Sequence, residues 1–457
     1  MFMLKGVLLL LLGIQGCAFS QVVPANPVRF QVNKLSAFQI FIAFEKVSAS
    51  CNYLVISAKS KFVNIQPTQG KIYQRGDQLG NAKVIQFSSD TIIEPRAVRA
   101  NTLYYFAVYS SQLVAGKIQY QFIKPLFIEV LTSGLTPRDY YESVSISAPN
   151  FLKTLSETTN SHSVLPYSAY KNTLLTNLEI QDTISGKSFV ECVYSGERKV
   201  FTNSFDWTSV GYSREHTFAH SWMPSHPADN PPLAEYSDLH NLYPTNLDKA
   251  NTVRNNFPLG EVTGTVLYSY LEGRLGYSGS QIVYEPRFSH KGNAARAMLY
   301  MIIAYNGINN HSWMLPPFQN QEVLKKWHFQ DPPDNYEISR QEYIFSLQGN
   351  RNPFIDHPEY VCYIDFTSMM KINHPCSAQL NEISLEAIEI RQSMDHIKFI
   401  SRDIITKLHL FDLAGNEITM FYPNEYTFEI NKESLISGVY LVHILVGEVQ
   451  YNRLIII

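Results

Sequence analysis

Two short stretches of the chain concentrate side chains that could act on a phosphate ester. The candidate residues are Glu215, His216 and His220 in residues 213–222, and Asp238, His240, Asn241, Asn251 and Arg254 in residues 238–257. An imidazole can remove a proton from water near neutral pH. A hard cation such as Mg²⁺ keeps several of its waters, needs few protein oxygen ligands and can neutralise charge on a phosphate. These residue types therefore suit metal-assisted hydrolysis of a phosphodiester.

The adjacency of Glu215 and His216 does not by itself make a site. Consecutive side chains of a strand point to opposite faces, so a bend or a strand end is needed to bring both to one phosphate. His216 and His220 have the i, i+4 spacing of a zinc pair on a helix. The motif H-E-x-x-H, however, needs Glu after the first His, and its inverted form needs His where Tyr212 stands. A zinc hydrolase is an alternative that a tightly bound metal would reveal.

Several ordered stretches resemble the endonuclease I family of ββα-metal, or His-Me finger, nucleases. The stretches are Arg214-Glu215-His216, residues 238–244, residues 251–257, residues 291–297, residues 336–340 and residues 348–356. The match covers roughly residues 140–365 in the order of the family. An ordered set of motifs is a more specific signal than any one of them alone.

The resemblance implies a mechanism. His216 would activate the attacking water as general base, and Glu215 and Asn251 would hold Mg²⁺, or another divalent cation such as Mn²⁺ or Ca²⁺. Asn251 would lie on the helix of the ββα unit. The cation would contact a non-bridging phosphate oxygen and the leaving O3′, so that the products carry 5′-phosphates.

The resemblance also implies supporting roles. Arg254 would either bind phosphate or brace the motif, and both alternatives stay open. His240 and Asn241 would orient the metal loop from behind the ligands. No further arginine is assigned to clamp phosphate. Asp206 and Asp238 are candidate acid partners of His216, although Asp206 is better interpreted as a surface or capping residue.

Composition limits the interpretation. The chain has 457 residues, of which 45% are hydrophobic and 17% charged, which indicates a globular protein and excludes a disordered or fibrous one. A formal net charge of −3 gives no global attraction to nucleic acid, so any phosphate site must be local. We expect a secreted, Mg²⁺-dependent endonuclease of DNA, with RNA as a second candidate, and little sequence preference. The alternative is a secreted adhesion or binding protein with an inactive nuclease fold.

The chain is long enough for two or three domains. Residues 26–131 are predicted to be an all-β sandwich, and residues 101–109 resemble the F-strand region of fibronectin type III domains. Residues 135–368 are predicted to be a mixed α+β nuclease domain with the ββα-metal motif. Helical periodicity is strongest in residues 294–305. His290, just before it, is expected in a solvated loop.

Both ends of the chain are predicted to carry export signals. Residues 1–20 are predicted to be a signal peptide, because Lys5 precedes an apolar run and residues 18–20 are spaced like a cleavage site. A lipoprotein box ending at Cys17 is the alternative. Residues 383–457 are predicted to be a small all-β domain that resembles the C-terminal sorting domain of type IX secretion. This implies a contact with export machinery, although a plain β-sandwich is also compatible.

These signals predict a protein that is exported through the periplasm and is secreted or at the cell surface. No later segment is predicted to span a membrane. Four cysteines follow the predicted signal peptide, and export permits disulfides. Cys362 and Cys376 are the favoured pair because they are close in sequence, whereas a pair of Cys51 and Cys192 would cross domains.

Overall fold

The computed structural model describes residues 23–225, 233–372, 388–392, 396–412, 417–432, 435, 439–446 and 449–456. The predicted signal peptide and Cys376 lie outside these residues. Cys362 is disulfide-bonded. Cys51 and Cys192 are buried free thiols, so these two do not pair. In the described part of the chain, every helix is too short or too polar to cross a bilayer.

Residues 23–131 form strands and loops only. The strands are β1 (Phe30–Leu35), β2 (Ile40–Phe44), β3 (Asn52–Ala58), β4 (Gln78–Leu79), β5 (Ala82–Ser88), β6 (Ile92–Ile93), β7 (Leu103–Val114), β8 (Lys117–Tyr120) and β9 (Leu126–Leu131). One sheet has the order β1-β2-β6, and the other has the order β4-β5-β3-β7-β8 with β9 also on β7. Ile42 of β2 packs with Val55 of β3 and Phe106 of β7 in a shared core. The resemblance to fibronectin type III domains stays a prediction.

The next region mixes short strands with helices around one core. Its strands are β10 (Gln181–Asp182), β11 (Ser188–Glu191), β12 (Arg198–Phe201), β13 (Tyr212–His216), β14 (Leu242–Asn246), β15 (Val266–Tyr270), β16 (Gly273–Ser278), β17 (Gln281–Glu285), β18 (Ile364–Asp365) and β19 (Met370–Lys371). Its helices are α1 (Phe151–Asn160), α2 (Trp207–Val210), α3 (Ala234–Ser237), α4 (Thr252–Arg254), α5 (Lys291–Tyr305), α6 (Gln321–Gln330), α7 (Asn335–Gln348) and α8 (Pro353–Asp356). Every residue of α5 is buried, which makes this helix the centre of the core.

Helix α5 includes the predicted helical stretch and begins three residues earlier, at Lys291. The extension depends on partners outside the helix. The Lys291 ammonium donates to Glu285 at 2.6 Å. The Gly292 N–H donates to the Asp331 carboxylate at 2.8 Å, which satisfies one of the free N–H groups at the start of the helix.

Two antiparallel strands and a helical turn position the chemistry-bearing residues. In the pair of β13 and β14, Glu215 lies opposite Tyr243 and His216 lies opposite Leu242. A π-helical turn, Leu247–Asn251, follows β14 and continues into α4. The Asn246 side chain caps this turn by accepting hydrogen bonds from the backbone N–H groups of Asp248 and Lys249, at 3.1 and 2.9 Å. Asn251 therefore lies where the π turn meets α4.

The all-β N-terminal region packs directly on the mixed region. Arg75 donates to Asp182 at 2.5 Å across the contact. Gly76 has a φ of +86°, and a Cβ at this position would lie 1.8 Å from the Thr183 carbonyl oxygen. Only glycine permits this close approach.

The C-terminal region is a sheet of six strands. They are β20 (Ile388–Gln392), β21 (His396–Asp412), β22 (Glu417–Phe421), β23 (Glu425–Asn431), β24 (Val439–Val446) and β25 (Val449–Ile456). Strand β21 is the longest and pairs with four of the others, β20, β22, β23 and β24. Leu408 and Leu410 of β21 pack with Val442 and Ile444 of β24 in a separate apolar core.

Candidate active site

Glu215 lies at the centre of a buried polar cluster. The residue is 5% exposed. The Asn251 amide donates to one carboxylate oxygen at 2.5 Å. The Arg254 guanidinium and the Tyr194 hydroxyl donate to the other oxygen at 3.0 and 3.1 Å. The strand, the helical turn and a tyrosine from before β12 thus converge on one carboxylate.

Burial and hydrogen bonding shift the pKa of this carboxyl group in opposite directions. Desolvation raises the pKa of Glu215 to about 7, against the opposing effects of the Arg254 charge and the Tyr194 hydrogen bond. A charge removed from water is costly unless it is paired. A bound cation would favour the ionised form still further.

The Arg254 side chain ties α4 to the end of β13. It is 1% exposed, and besides Glu215 it donates to the carbonyl oxygens of His216 and Thr217, at 3.4 and 2.9 Å. Its guanidinium carbon lies 5.2 Å from the ring centroid of Trp222. Of the two alternatives for Arg254, these contacts favour bracing over phosphate binding.

His216 ends β13, and its side chain has a different environment from that of Glu215. Its Nε2 lies 2.8 Å from the Tyr236 carbonyl oxygen. Because a carbonyl only accepts, Nε2 must carry the proton, and Nδ1 keeps its lone pair. The ring is parallel to that of Tyr167 at 5.6 Å between centroids, and it lies 4.9 Å from the Tyr236 ring.

Desolvation lowers the pKa of His216 to about 4, against the opposing effect of the Tyr236 hydrogen bond. Electrostatic repulsion between a protonated His216 and His220, Arg214 and Arg254 lowers this pKa further. The residue as a whole is half-buried. The imidazole is therefore neutral near pH 7, which is the form that a general base needs.

Asn241 fixes the backbone just after His216. Its amide oxygen accepts from Phe218 N at 2.7 Å, and its amide nitrogen donates to Phe218 O at 3.2 Å. His240 is also buried but faces a different cluster, with its ring 4.5 Å from that of Tyr300. The structure thus gives Asn241 a direct connection to the strand end, while the contacts of His240 lead toward α5.

Two oxygen-bearing side chains in contact, Glu215 and Asn251, fit a hydrated Mg²⁺ ion, because this ion needs few protein ligands. In the described residues, no group of three or more His, Cys, Asp or Glu side chains could hold a metal. The zinc alternative also lacks its helix, since His216 ends a strand and His220 begins a 3-10 turn. The described donors therefore fit Mg²⁺ better than a closed zinc shell.

Several contacts of the site have no signal in the sequence. Tyr194, Tyr167 and the Tyr236 carbonyl come from segments outside the motif. Neither candidate acid partner bonds to His216 among the described contacts. Asp206 caps α2 by accepting from Ser209 N at 2.9 Å, as its capping interpretation predicted.

Asp238, the second candidate partner, accepts instead from the hydroxyls of Tyr300 and Tyr305, at 2.6 and 2.8 Å. The prediction of a solvated loop at His290 was wrong. This residue is 3% exposed, and its ring packs between Tyr194 and Tyr243, at 5.7 and 4.8 Å.

Comparison with known proteins identifies the family of this chain. The Endonuclease I family model matches residues 149–359. An extracellular ribonuclease of Bacillus subtilis is 31% identical over 234 residues, 48% of this chain and 76% of the relative. One from Bacillus amyloliquefaciens is 31% identical over 244 residues, 50% of this chain and 79% of the relative. An extracellular deoxyribonuclease of Aeromonas hydrophila is 32% identical over 121 residues, 26% of this chain and 49% of the relative. The chain belongs to the endonuclease I family.

Proposed function

We propose that this protein is a secreted, divalent-cation-dependent endonuclease that hydrolyses phosphodiester bonds of DNA, with RNA as a second substrate. The observation that carries the proposal is the strand end at residues 215 and 216. It presents a carboxylate in contact with the Asn251 amide at 2.5 Å. On the next residue it presents a neutral imidazole whose Nδ1 is left to accept a proton.

In the proposed reaction, His216 Nδ1 takes a proton from the attacking water while the Tyr236 carbonyl holds the opposite nitrogen. Glu215 and Asn251 would hold Mg²⁺, and the amide can turn to present its oxygen. When bound, this cation would neutralise charge on the scissile phosphate and on the leaving O3′, which leaves 5′-phosphate products. Arg254 keeps Glu215 and the strand end in place.

The names of the relatives support the proposed substrate class. The two relatives with the longer matches are named ribonucleases, and the relative with the shorter match is named a deoxyribonuclease. Both polymers offer the same phosphodiester to the site. We expect little sequence preference, because backbone contacts carry no sequence information.

Export is part of the same proposal. The three relatives are named extracellular. The predicted signal peptide and the β-rich C-terminal region fit a route through the periplasm, with the C-terminal region contacting the export machinery. The final location would be outside the cell or on its surface.

The decisive test is cleavage of plasmid DNA, and in parallel of RNA, by the purified protein with Mg²⁺ or with EDTA. We expect cutting in Mg²⁺ alone, and a loss of about 10²–10⁴-fold in His216→Ala, the usual contribution of a general base. His311→Ala, a histidine beyond α5, is the matched control and should cut normally. A wild-type protein that cuts neither polymer with any divalent ion would support the alternative, a binding protein with an inactive nuclease fold.

A further inference from the structure

Arg214 shares a side of strand β13 with His216, because side chains two residues apart in a strand point the same way. The Arg214 guanidinium carbon lies over the Tyr167 ring, 3.7 Å from its centroid, and 5.3 Å from that of Trp207. The His216 ring is parallel to that of Tyr167 at 5.6 Å between centroids, and the Tyr236 ring lies 4.7 Å from that of Tyr167. Arg214, Tyr167 and His216 therefore form a row along one side of the strand end.

The charge of Arg214 is held in place but not neutralised. Its guanidinium donates one hydrogen bond, to the Tyr167 carbonyl oxygen at 3.1 Å. Among the described residues it forms no ion pair with a carboxylate, whereas Arg254 is paired with Glu215. The side chain is half-buried, so it reaches solvent. An arginine that is fixed by an aromatic ring and lacks an acidic partner retains donors for an anion.

We propose that Arg214 binds a substrate phosphate close to the scissile one and that Tyr167 holds its guanidinium in position. This inference rests on the proposed nuclease function and names a phosphate contact that the sequence left unassigned. The two arginines of the site then have different tasks. Arg254 is buried against backbone carbonyls and Glu215, while Arg214 is half-buried on the side of the strand on which His216 lies.

The distances suit a neighbouring phosphate of the same strand. Both groups contact the Tyr167 ring, so the guanidinium carbon lies no more than about 10 Å from the His216 ring centroid. Phosphates of one duplex strand are spaced by about 3.4 Å along the helix axis, so this distance corresponds to at most about three phosphates. A phosphate at Arg214 would therefore belong to the same bound segment as the phosphate at His216. The contact would fix the register of the backbone without reading its sequence.

The test measures binding rather than cleavage. The full-length His216→Ala protein, which should bind without cutting, is titrated with a labelled DNA duplex of mixed sequence in Mg²⁺ at several KCl concentrations. In this background Arg214→Gln should weaken binding about tenfold, since a hydrogen bond to a charged group is lost. The slope of log affinity against log salt should become shallower by about one, the value for one phosphate contact.

Two controls separate a phosphate contact from other effects. Arg29→Gln removes the same charge from an exposed position in the N-terminal region and should leave the slope unchanged. Arg214→Lys keeps the charge and should keep the slope, even if it binds less tightly because the planar stacking on Tyr167 is lost. Thermal unfolding of each variant shows whether it is folded.

An unchanged salt slope in a folded Arg214→Gln protein would overturn the inference, as would an equal change in Arg29→Gln. A slope that falls as much in Arg214→Lys as in Arg214→Gln would show that packing matters and charge does not, which also overturns it. These results are independent of the plasmid assay. A wild-type protein that cuts DNA while Arg214→Gln keeps its salt slope would contradict this inference and leave the nuclease proposal intact.

Discussion

The two sides of strand β13 place a titratable side chain in different surroundings. On one side, Glu215 receives hydrogen bonds from an amide, a guanidinium and a hydroxyl. On the other side, His216 is enclosed by aromatic rings and bonds to a single carbonyl. Desolvation is the largest cause of both pKa shifts, upward for the carboxyl and downward for the imidazole. Burial thus favours the neutral form of both side chains. A neutral imidazole can act as a base, whereas the Glu215 carboxylate needs a nearby positive charge to stay ionised.

The largest expected effect, on cleavage activity, comes from removing the side chains of His216 and Glu215 in turn. His216→Ala should lose activity by about 10²–10⁴-fold and keep its affinity for Mn²⁺, because the base is not a ligand. Glu215→Ala should lose both. Cleavage assays and calorimetric titration with Mn²⁺ on the same preparations provide the measurement. Loss of metal binding in His216→Ala would contradict the assignment of separate tasks to the two sides.

The second effect concerns the ion pair on the Glu215 side. Arg254→Met should lower the free energy of unfolding by about 3–5 kcal/mol at about pH 8, because Glu215 must then either stay ionised without its cationic partner or take up a proton at a pH that disfavours it. Urea unfolding without divalent ions provides the measurement. The double variant with Glu215→Gln should recover part of the loss, because it buries no lone charge. A loss below about 1 kcal/mol, as for an exposed pair, would mean that Arg254 is not the brace of the site.

The third effect is a pH dependence of metal affinity, which we expect to depend on Glu215 and not on His216. Burial raises the pKa of Glu215 to about 7 in the metal-free protein, so below that pH a cation must displace a proton. Metal affinity should therefore fall about tenfold per pH unit below about pH 7 and be flat above it. His216, with a pKa of about 4, does not titrate in this range.

His216→Ala is the control for this third prediction and should keep the same profile, whereas an affinity that is flat between about pH 5.5 and 8 would refute it. The same shift has a consequence for stability without metal. The folded state holds the Glu215 proton to a higher pH than the unfolded chain does. The contribution of this group to stability is therefore present at low pH and is lost as pH rises through about 7.

The sequence predicted the Glu215 side better than the His216 side. Glu215, Asn251 and Arg254 belong to two stretches of one ordered set of motifs, and the structure brings them into contact, although their roles stay predictions. The surroundings of His216 depend on Tyr167 and on the Tyr236 carbonyl. The chain has 28 tyrosines without a pattern that singles out these two. A backbone carbonyl is, moreover, independent of the residue type that carries it.

The same distinction applies to the fold. Periodic Ala, Met and Leu predicted the body of α5, because its own residues determine the apolar pattern. Its first turn could not be predicted, since the Gly292 N–H is satisfied by Asp331, a partner 39 positions away. The burial of His290 could not be predicted for the same reason, because the rings of Tyr194 and Tyr243, which cover it, come from other segments.

The smallest expected effect tests whether one hydroxyl adjusts the Glu215 side. Tyr194 donates to the carboxylate at 3.1 Å, and this bond lowers the pKa of Glu215 against the effect of burial. Tyr194→Phe should therefore move the midpoint of the metal-affinity profile to higher pH. At about pH 6 the affinity should fall about fivefold, which corresponds to about 1 kcal/mol for one hydrogen bond. At about pH 8.5, where the carboxylate is ionised in both proteins, the affinities should agree.

Tyr284→Phe is the matched control, because this buried ring lies 5.3 Å from that of Tyr194 and has no described hydrogen bond to Glu215. An equal decrease in affinity at both pH values would mean that the Tyr194 hydroxyl shapes the site rather than adjusting its charge.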